Sequence, residues 1–276
     1  MKLINYFIII IIIFLFFCLK GKKENFNKKE KIVVCFFGVV ARSAKYTYKN
    51  LYKNIINVLK KQYDVDIYVF NNNVENTKVD NKQLNNNDVK LFNADIYEEE
   101  KQSNIDKKIK NMIKIKNIKT KMRKDYSEKL IKNAIRQMYS EENVGNFLKK
   151  NENKYKCAVI CGPDYYLINN INLQHVKNCI NNDSIVYTTS VNDAQGYTNG
   201  FYIGTPNTCS KILKRYSILA KLLPTDKDYE YLLKRAFIIH SIKRLVTDTK
   251  FVKIRANKSI ARQGLMRTIK YDKIKI

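Results

Sequence analysis

The residues best placed for chemistry are Asp164, within Gly162-Pro163-Asp164-Tyr165-Tyr166, and the glycine-spaced run Gln195–Gly204 (QGYTNGFYIG). Tyr155–Cys161 (YKCAVIC) reads as a buried strand, so Asp164 falls just beyond its end. A carboxylate there projects into the crevice at the carboxyl edge of a sheet. It can hold a divalent cation, which in turn neutralises a diphosphate. Pro-Asp also opens ordinary turns, and Gly196, Gly200 and Gly204 also suit a bend or bulge. Arg42 and Ser43 follow another apolar strand and the turn at Gly38, where Arg42 suits either a phosphate or the turn itself. Glu230 stands at the start of a helical pattern. His175 and His240 are the only histidines, and neither is paired with a nucleophile. His240 ends the apolar AFIIH, where a partly buried, hydrogen-bonded histidine is the plainer reading. Tyr165 and Tyr166 suit packing first and stacking on a ring second.

The elements that position these residues follow from hydrophobic period. Lys31–Phe37 (KIVVCFF) is a buried parallel strand; Thr47–Lys61 carries Leu51, Ile55, Ile56, Val58 and Leu59 at helical spacing; Asp64–Phe70 (DVDIYVF) is a second strand. Strand, helix and strand in about 40 residues make a βαβ unit and imply a parallel sheet. Asn71–Asp106 is polar and asparagine-rich, expected as a long loop with one short strand at Val89–Phe92. Lys107–Lys124 holds nine basic residues, no acidic ones and interleaved isoleucines. As a helix it suits an anionic lipid surface or phosphates; the plainer alternative is a solvated helix or insertion. Further helices are expected at Tyr126–Leu148, Cys209–Leu222 and Asp228–Ser241, and further strands at Ser184–Thr189, Asn199–Pro206 and Lys250–Ile254. The fold class is therefore α/β, with ligands expected where parallel strands end.

Composition narrows the setting. The chain has 52 Lys+Arg against 25 Asp+Glu, a net charge of +27, and no tryptophan. That balance suits nucleic acid or an anionic surface, but lysine, asparagine and isoleucine rise together, as in AT-rich coding. The basic run lacks interleaved aromatics and any nucleic-acid module, so nucleic acid is not the expected partner. The six cysteines form no C-x-x-C pair, which argues against a zinc site or a disulfide framework and for buried free thiols. Leu3–Leu19 (LINYFIIIIIIFLFFCL) is uncharged and is followed by a lysine-rich segment. A helix of that length spans roughly 25 Å, and flanking lysines can snorkel, so residues 1–23 are expected to be a single membrane anchor. Bulky Phe16-Phe17 before Cys18 disfavours both signal cleavage and lipidation. Six lysines between Lys20 and Lys31 favour a cytosolic carboxy-terminal domain, yet large domains translocate regardless of flanking charge; both orientations stand.

Taken in order, these segments resemble glycosyltransferase-like proteins of the GT-A fold, in the nucleotide-diphospho-sugar transferase superfamily, with relatives in giant viruses, algae and bacteria. The resemblance rests on Lys31–Ser43 (KIVVCFFGVVARS), Asp64–Asn71 (DVDIYVFN), Asn133–Tyr139 (NAIRQMY), Tyr155–Tyr166 (YKCAVICGPDYY), Gln195–Gly204 and Phe251–Arg255 (FVKIR). It covers about Lys31 to Ala256. It implies one GT-A-like (Rossmann-like) domain over residues 24–276, with a polar and basic insertion at 71–125. It implies a donor nucleotide-sugar under Gly38, Arg42 and Ser43, and Asp164 as the carboxylate for a divalent metal (Mn²⁺ or Mg²⁺) or a ribose. Asn199 and Gly200 would line a pocket for a glycan or protein acceptor, and Glu230 matches an acidic residue at a helix start. Asp164, Asn199 and Glu230 are the catalytic candidates on this resemblance. Two departures bear on it: Gly162 stands where the family often has Arg or Asp, and Thr198-Asn199 replaces an Asn-Asp pair. With one acid left, metal binding needs a further ligand from Asp193, Glu230 or His240. The alternatives are a degenerate, non-catalytic relative and a basic membrane-tethered protein that binds anionic lipid or nucleic acid.

Overall fold

The computed structural model describes residues 29–75, 78–116, 127–191, 193–223 and 228–261. The apolar run Leu3–Leu19 and residues 117–124 of the basic segment lie outside them. No helix among the described residues is long and apolar enough to cross a membrane.

Strand β1 (Lys31–Gly38) is the centre of the sheet, and Ile32 to Phe36 expose no surface. β-Branched and aromatic side chains suit such a strand because both of its faces are covered. Helix α1 runs as Ala44–Leu51, a π turn at Tyr52–Ile56, and Asn57–Lys60. Its buried Leu51, Ile55, Ile56 and Leu59 join the core on one face of the sheet. Strand β2 (Asp64–Asn73) then pairs in parallel with β1, from Lys31 opposite Asp64 to Gly38 opposite Asn71. Fully burying each such side chain is worth about 1.5–3 kcal/mol, which makes this βαβ unit a stable base.

The next segment corrects the expected loop. Strands β3 (Lys78–Val79) and β4 (Lys82–Gln83) form a hairpin whose two turn residues, Asp80 and Asn81, both have positive φ, 49° and 60°. That turn needs left-handed residues, and Asp and Asn tolerate the conformation. Val89–Phe92 lies in a 3-10 helix, Asn86–Phe92, instead of a strand; Phe92 is its buried anchor and its ring centroid sits 4.4 Å from that of Phe36. Strand β5 (Ile96–Lys101) pairs in parallel with β2 and helix α2 (Gln102–Lys116) follows. IYEEEK carries too much charge to read as a strand, yet charge is what a sheet edge tolerates. Ile105 and Ile109 of α2 are fully buried with Ile131, Ile135 and Met138 of helix α3 (Glu128–Lys150). Ile105 and Ile109 are therefore taken up by the fold.

Strands β6 (Cys157–Cys161), β7 (Tyr165–Leu167), β8 (Ile185–Thr188) and β9 (Phe201–Gly204) follow, with helix α4 (Leu173–Ile180) between β7 and β8. The expected helix over Cys209–Leu222 is two pieces, α5 (Pro206–Leu213) and α6 (Leu219–Leu222). Thr205 caps α5 through the Thr208 N–H, with Pro206 as its first residue. Helix α7 (Tyr229–Ile239) leads to β10 (Lys243–Val246), β11 (Phe251–Ile254) and β12 (Ile260–Ala261). The main sheet has the order β10-β8-β9-β6-β1-β2-β5 and is parallel except for β9. A smaller antiparallel sheet, β12-β11-β7, stands beside it. Cys35, Cys157, Cys161, Cys179 and Cys209 are all buried free thiols.

Candidate functional site

The chain steps from β1 to β2 to β5 in one direction and resumes at β6 on the other side of β1. Strand order thus reverses between β1 and β6, and in open α/β sheets ligands bind outside the carboxyl ends of the strands at such a point. The two exits at this reversal are tied together. Cys161 closes β6 one register step after Ile160, opposite Phe36. The hydroxyls of Thr47 (2.6 Å) and Ser43 (3.3 Å) donate to the carbonyl of Pro163, beyond that exit. Ser43 is fully buried, so its hydroxyl serves this tie. The Val40 N–H donates to Asn71 Oδ1, which holds the β1 exit to the end of β2.

Asp164 emerges from this tie half-buried. Its carbonyl accepts from the Ile254 N–H at 2.8 Å, and Tyr165 pairs with Lys253 in the β7–β11 register. The small sheet therefore carries β11 alongside the acid. Lys253 is half-buried with its ammonium 5.2 Å from the Tyr165 ring centroid, and Arg255, two residues on, falls on the same side by strand alternation. Burial lowers the pKa of Lys253; the negative charges of Asp164 and Glu230 oppose that, and Arg255 and Arg42 add to it. Arg255 is lowered too, by burial and by Arg42, against the pull of Asp164 and Asp80. Among the described residues, neither cation makes a side-chain hydrogen bond or ion pair.

Arg42 is placed at the same edge but already engaged. Its Nε and Nη2 form a fork with the Asp80 carboxylate at 2.8 and 2.9 Å, and that carboxylate also accepts from the Ala256 N–H at 3.1 Å. Burial alone would raise the pKa of Asp80, but the Arg42 fork and the Ala256 N–H outweigh it and hold the carboxyl below its usual range. The hairpin tip thus staples the β1 exit to the β11 exit.

The glycine-rich segment packs beneath. Gly200 has φ +88°, and a Cβ there would meet the Tyr165 hydroxyl at 2.6 Å. Gly196 lies so close to the backbone of Glu230 that a Cβ would fall 2.1 Å from its carbonyl. The Tyr197 N–H donates to that carbonyl, so the segment and the start of α7 are one unit. Burial and the neighbouring Asp228 raise the pKa of the Glu230 carboxyl. Asn199, expected at an acceptor pocket, is only 4% exposed. Its Oδ1 accepts from Arg215 Nη1 at 2.6 Å, and its carbonyl accepts from the Tyr165 hydroxyl. Arg215 is paired in turn with the buried Glu141, which also accepts from Gln137 and Tyr202. Burial works against the Arg215 charge, but Glu141 outweighs it and raises the pKa. Asn199 Nδ2 and Arg215 Nε are buried without partners among the described residues.

Asp164, Gly38, Ser43 and Arg42 thus share one edge, Glu230 acts on it through Lys253, and Asn199 lies in the layer below. Two of the further ligands proposed for a metal, Asp193 and His240, do not join them. Asp193 is held by Arg244 at 2.7 Å and by the Thr198 N–H at 2.9 Å. His240 sits at the end of α7 opposite Glu230, about 15 Å away along the helix. No group of three His, Cys, Asp or Glu side chains converges among the described residues. Sequence reasoning missed Lys253, Arg255 and Asp80. The only available signal was the alternation of two cations in the otherwise apolar FVKIR.

No protein-family model matches the chain, and no curated protein matches it. Among solved structures, the apo form of mouse xyloside xylosyltransferase 1 aligns over 79% of this chain and 85% of its own, with a TM-score of 0.44 and 7% identity.

Proposed function

We propose that the crevice binds a nucleoside-diphosphate sugar and that the protein transfers the sugar to a hydroxyl of a glycan or protein. One observation supports this: among the described residues Asp164 makes no salt link, and it stands at the β1/β6 reversal, beside the tied β1 exit, where its charge acts on the unpaired cations Lys253 and Arg255. A diphosphate needs cations, a ribose needs a carboxylate to accept from its hydroxyls, and sugar transfer needs a base. In the reaction the bond from the anomeric carbon to the diphosphate oxygen breaks, and its electron pair leaves with the diphosphate. The acceptor oxygen bonds to the anomeric carbon, and its proton passes to a carboxylate. Glu230 suits that role because its raised pKa makes it a better proton acceptor than an ordinary carboxylate. Asp164 suits the ribose hydroxyls.

The donor set does not fit the Mn²⁺ or Mg²⁺ that the family resemblance implies. Either ion wants several oxygen ligands in an octahedron, whereas Asp164 is a single carboxylate with Lys253 and Arg255 as its charged neighbours.

The full-length chain in detergent, offered a panel of nucleotide sugars, is expected to turn over at least one donor. Asp164→Asn is expected to lower kcat/KM by about 10- to 150-fold, since a charge-assisted hydrogen bond is worth roughly 1.5–3 kcal/mol. Full activity in that variant overturns the assignment of the site, and no turnover of any donor overturns the activity.

A further inference from the structure

We infer that Lys253 and Arg255 bind the diphosphate of the donor and supply the charge neutralisation that a divalent cation would otherwise provide. This rests on the transferase reading of the crevice and deepens it, by giving the diphosphate to these two side chains in place of a metal.

The case starts from how this chain treats its other inward cations. Arg42 meets Asp80, Arg136 meets Asp106, Arg215 meets Glu141 and Arg244 meets Asp193. Arg235 donates to the carbonyls of Leu222 and Lys221. Among the described arginines, Arg255 alone has neither a carboxylate nor a carbonyl on its guanidinium. Lys253 is in the same condition, in a chain whose other lysines mostly lie exposed. Two half-buried cations that repel each other, with Arg42 adding to the repulsion, are costly to hold when the counter-charge they share, Asp164, forms an ion pair with neither among the described residues.

The fold nonetheless positions both firmly. Lys253 lies in the middle of the small sheet, paired with Tyr165 on one side and Ala261 on the other. The Arg255 backbone is fixed by its N–H to the Ser259 carbonyl and by the Lys258 N–H to its own carbonyl. Asp80, which could have paired with Arg255, is occupied by the Arg42 fork and the Ala256 N–H. What remains is a pair of donors on a fixed backbone, two residues apart at the end of β11. A diphosphate presents two adjacent anionic groups, and a guanidinium fork beside an ammonium matches them. Donors held in place before binding spend little on reorganisation when charge develops on the leaving group.

The full-length protein in detergent is titrated calorimetrically with UDP, GDP and CDP, first in EDTA and then in Mn²⁺. At least one of them is expected to bind in EDTA, with affinity within about threefold of that in Mn²⁺. Lys253→Met and Arg255→Gln are each expected to weaken that binding about tenfold or more. Lys253→Arg is expected to restore most of it, which a purely structural lysine would not require. Thermal unfolding of each variant separates loss of binding from loss of fold. Binding seen only with Mn²⁺ overturns this inference and leaves the transferase reading standing, as does EDTA-resistant binding that neither substitution weakens. Failure of all three nucleotides under both conditions overturns the two together.

Discussion

The pair Glu141–Arg215 and the cluster Asp164–Lys253–Arg255 are both built from opposite charges withdrawn from water, yet the fold pairs the charges directly only in the first, even with Arg215 Nε and Asn199 Nδ2 left without partners among the described residues. Around Glu141 each carboxylate oxygen has a partner, and Arg215 reaches both Glu141 and Asn199. Around Asp164, neither Lys253 nor Arg255 makes a side-chain hydrogen bond among the described residues, and burial lowers the pKa of both. A closed network stiffens the layer under the crevice; an open one keeps its bonding capacity for something that arrives. Removing a member of the closed network should therefore be felt in stability, and removing a member of the open one in binding.

The sharpest way to break this contrast is Arg215→Met, which leaves Glu141 buried and unpaired. Urea unfolding should show a loss of about 3–5 kcal/mol, and the double substitution with Glu141→Leu should recover most of it. If Arg215→Met unfolds like the parent, the pairing of Arg215 with Glu141 does not hold this layer together.

Asp80 lies between the two regimes, because its carboxylate is paired but sits at the crevice edge. Asp80→Asn should cost about 1–2 kcal/mol at neutral pH. The sign follows from its depressed pKa: the contribution is complete above the ordinary carboxylate value and is lost as pH falls through the lower folded value. Parent and variant unfolding curves should thus converge in acid, and a constant gap down to pH 2 would refute the linkage.

The smallest effect sharpens the open side. Lys253 faces Asp164 and Glu230 as counter-charges and Arg255 and Arg42 as like charges, and its folded-state pKa is lowered. The unfolded chain then holds that proton more tightly, so stability should rise with pH between the folded value and the ordinary lysine value near 10.5. Lys253→Met should be slightly more stable than the parent at pH 7, by less than about 1 kcal/mol, with the difference vanishing in alkali. A variant less stable than the parent would mean that the lysine is a structural partner.

Local pattern carried much of this molecule. Lys31–Phe37, Asp64–Phe70 and Tyr155–Cys161 were legible as strands because each is a dense apolar run, and buried parallel strands need little else. The position of Asp164 just beyond β6 was legible for the same reason: whatever follows such a run leaves the sheet at its carboxyl edge. Other elements had no such signal. Ile96–Lys101 is a charged edge strand that exists because β2 offers it hydrogen bonds. Tyr165–Leu167 is held by pairing with β11, nearly a hundred residues away in sequence.

The amino-acid order by itself determined that an α/β sheet would form and that one acid would stand at its rim, since burial of apolar runs is decided residue by residue. It also determined, through Gly196 and Gly200, where backbone and ring could approach closely. Only the tertiary structure decided that Arg42 is consumed by Asp80, that Asn199 is buried on Arg215, and that Lys253 and Arg255 face Asp164. Charge pairing depends on distance in space, and partners 38, 16 or 91 positions apart along the chain acquire that distance only when the sheet closes.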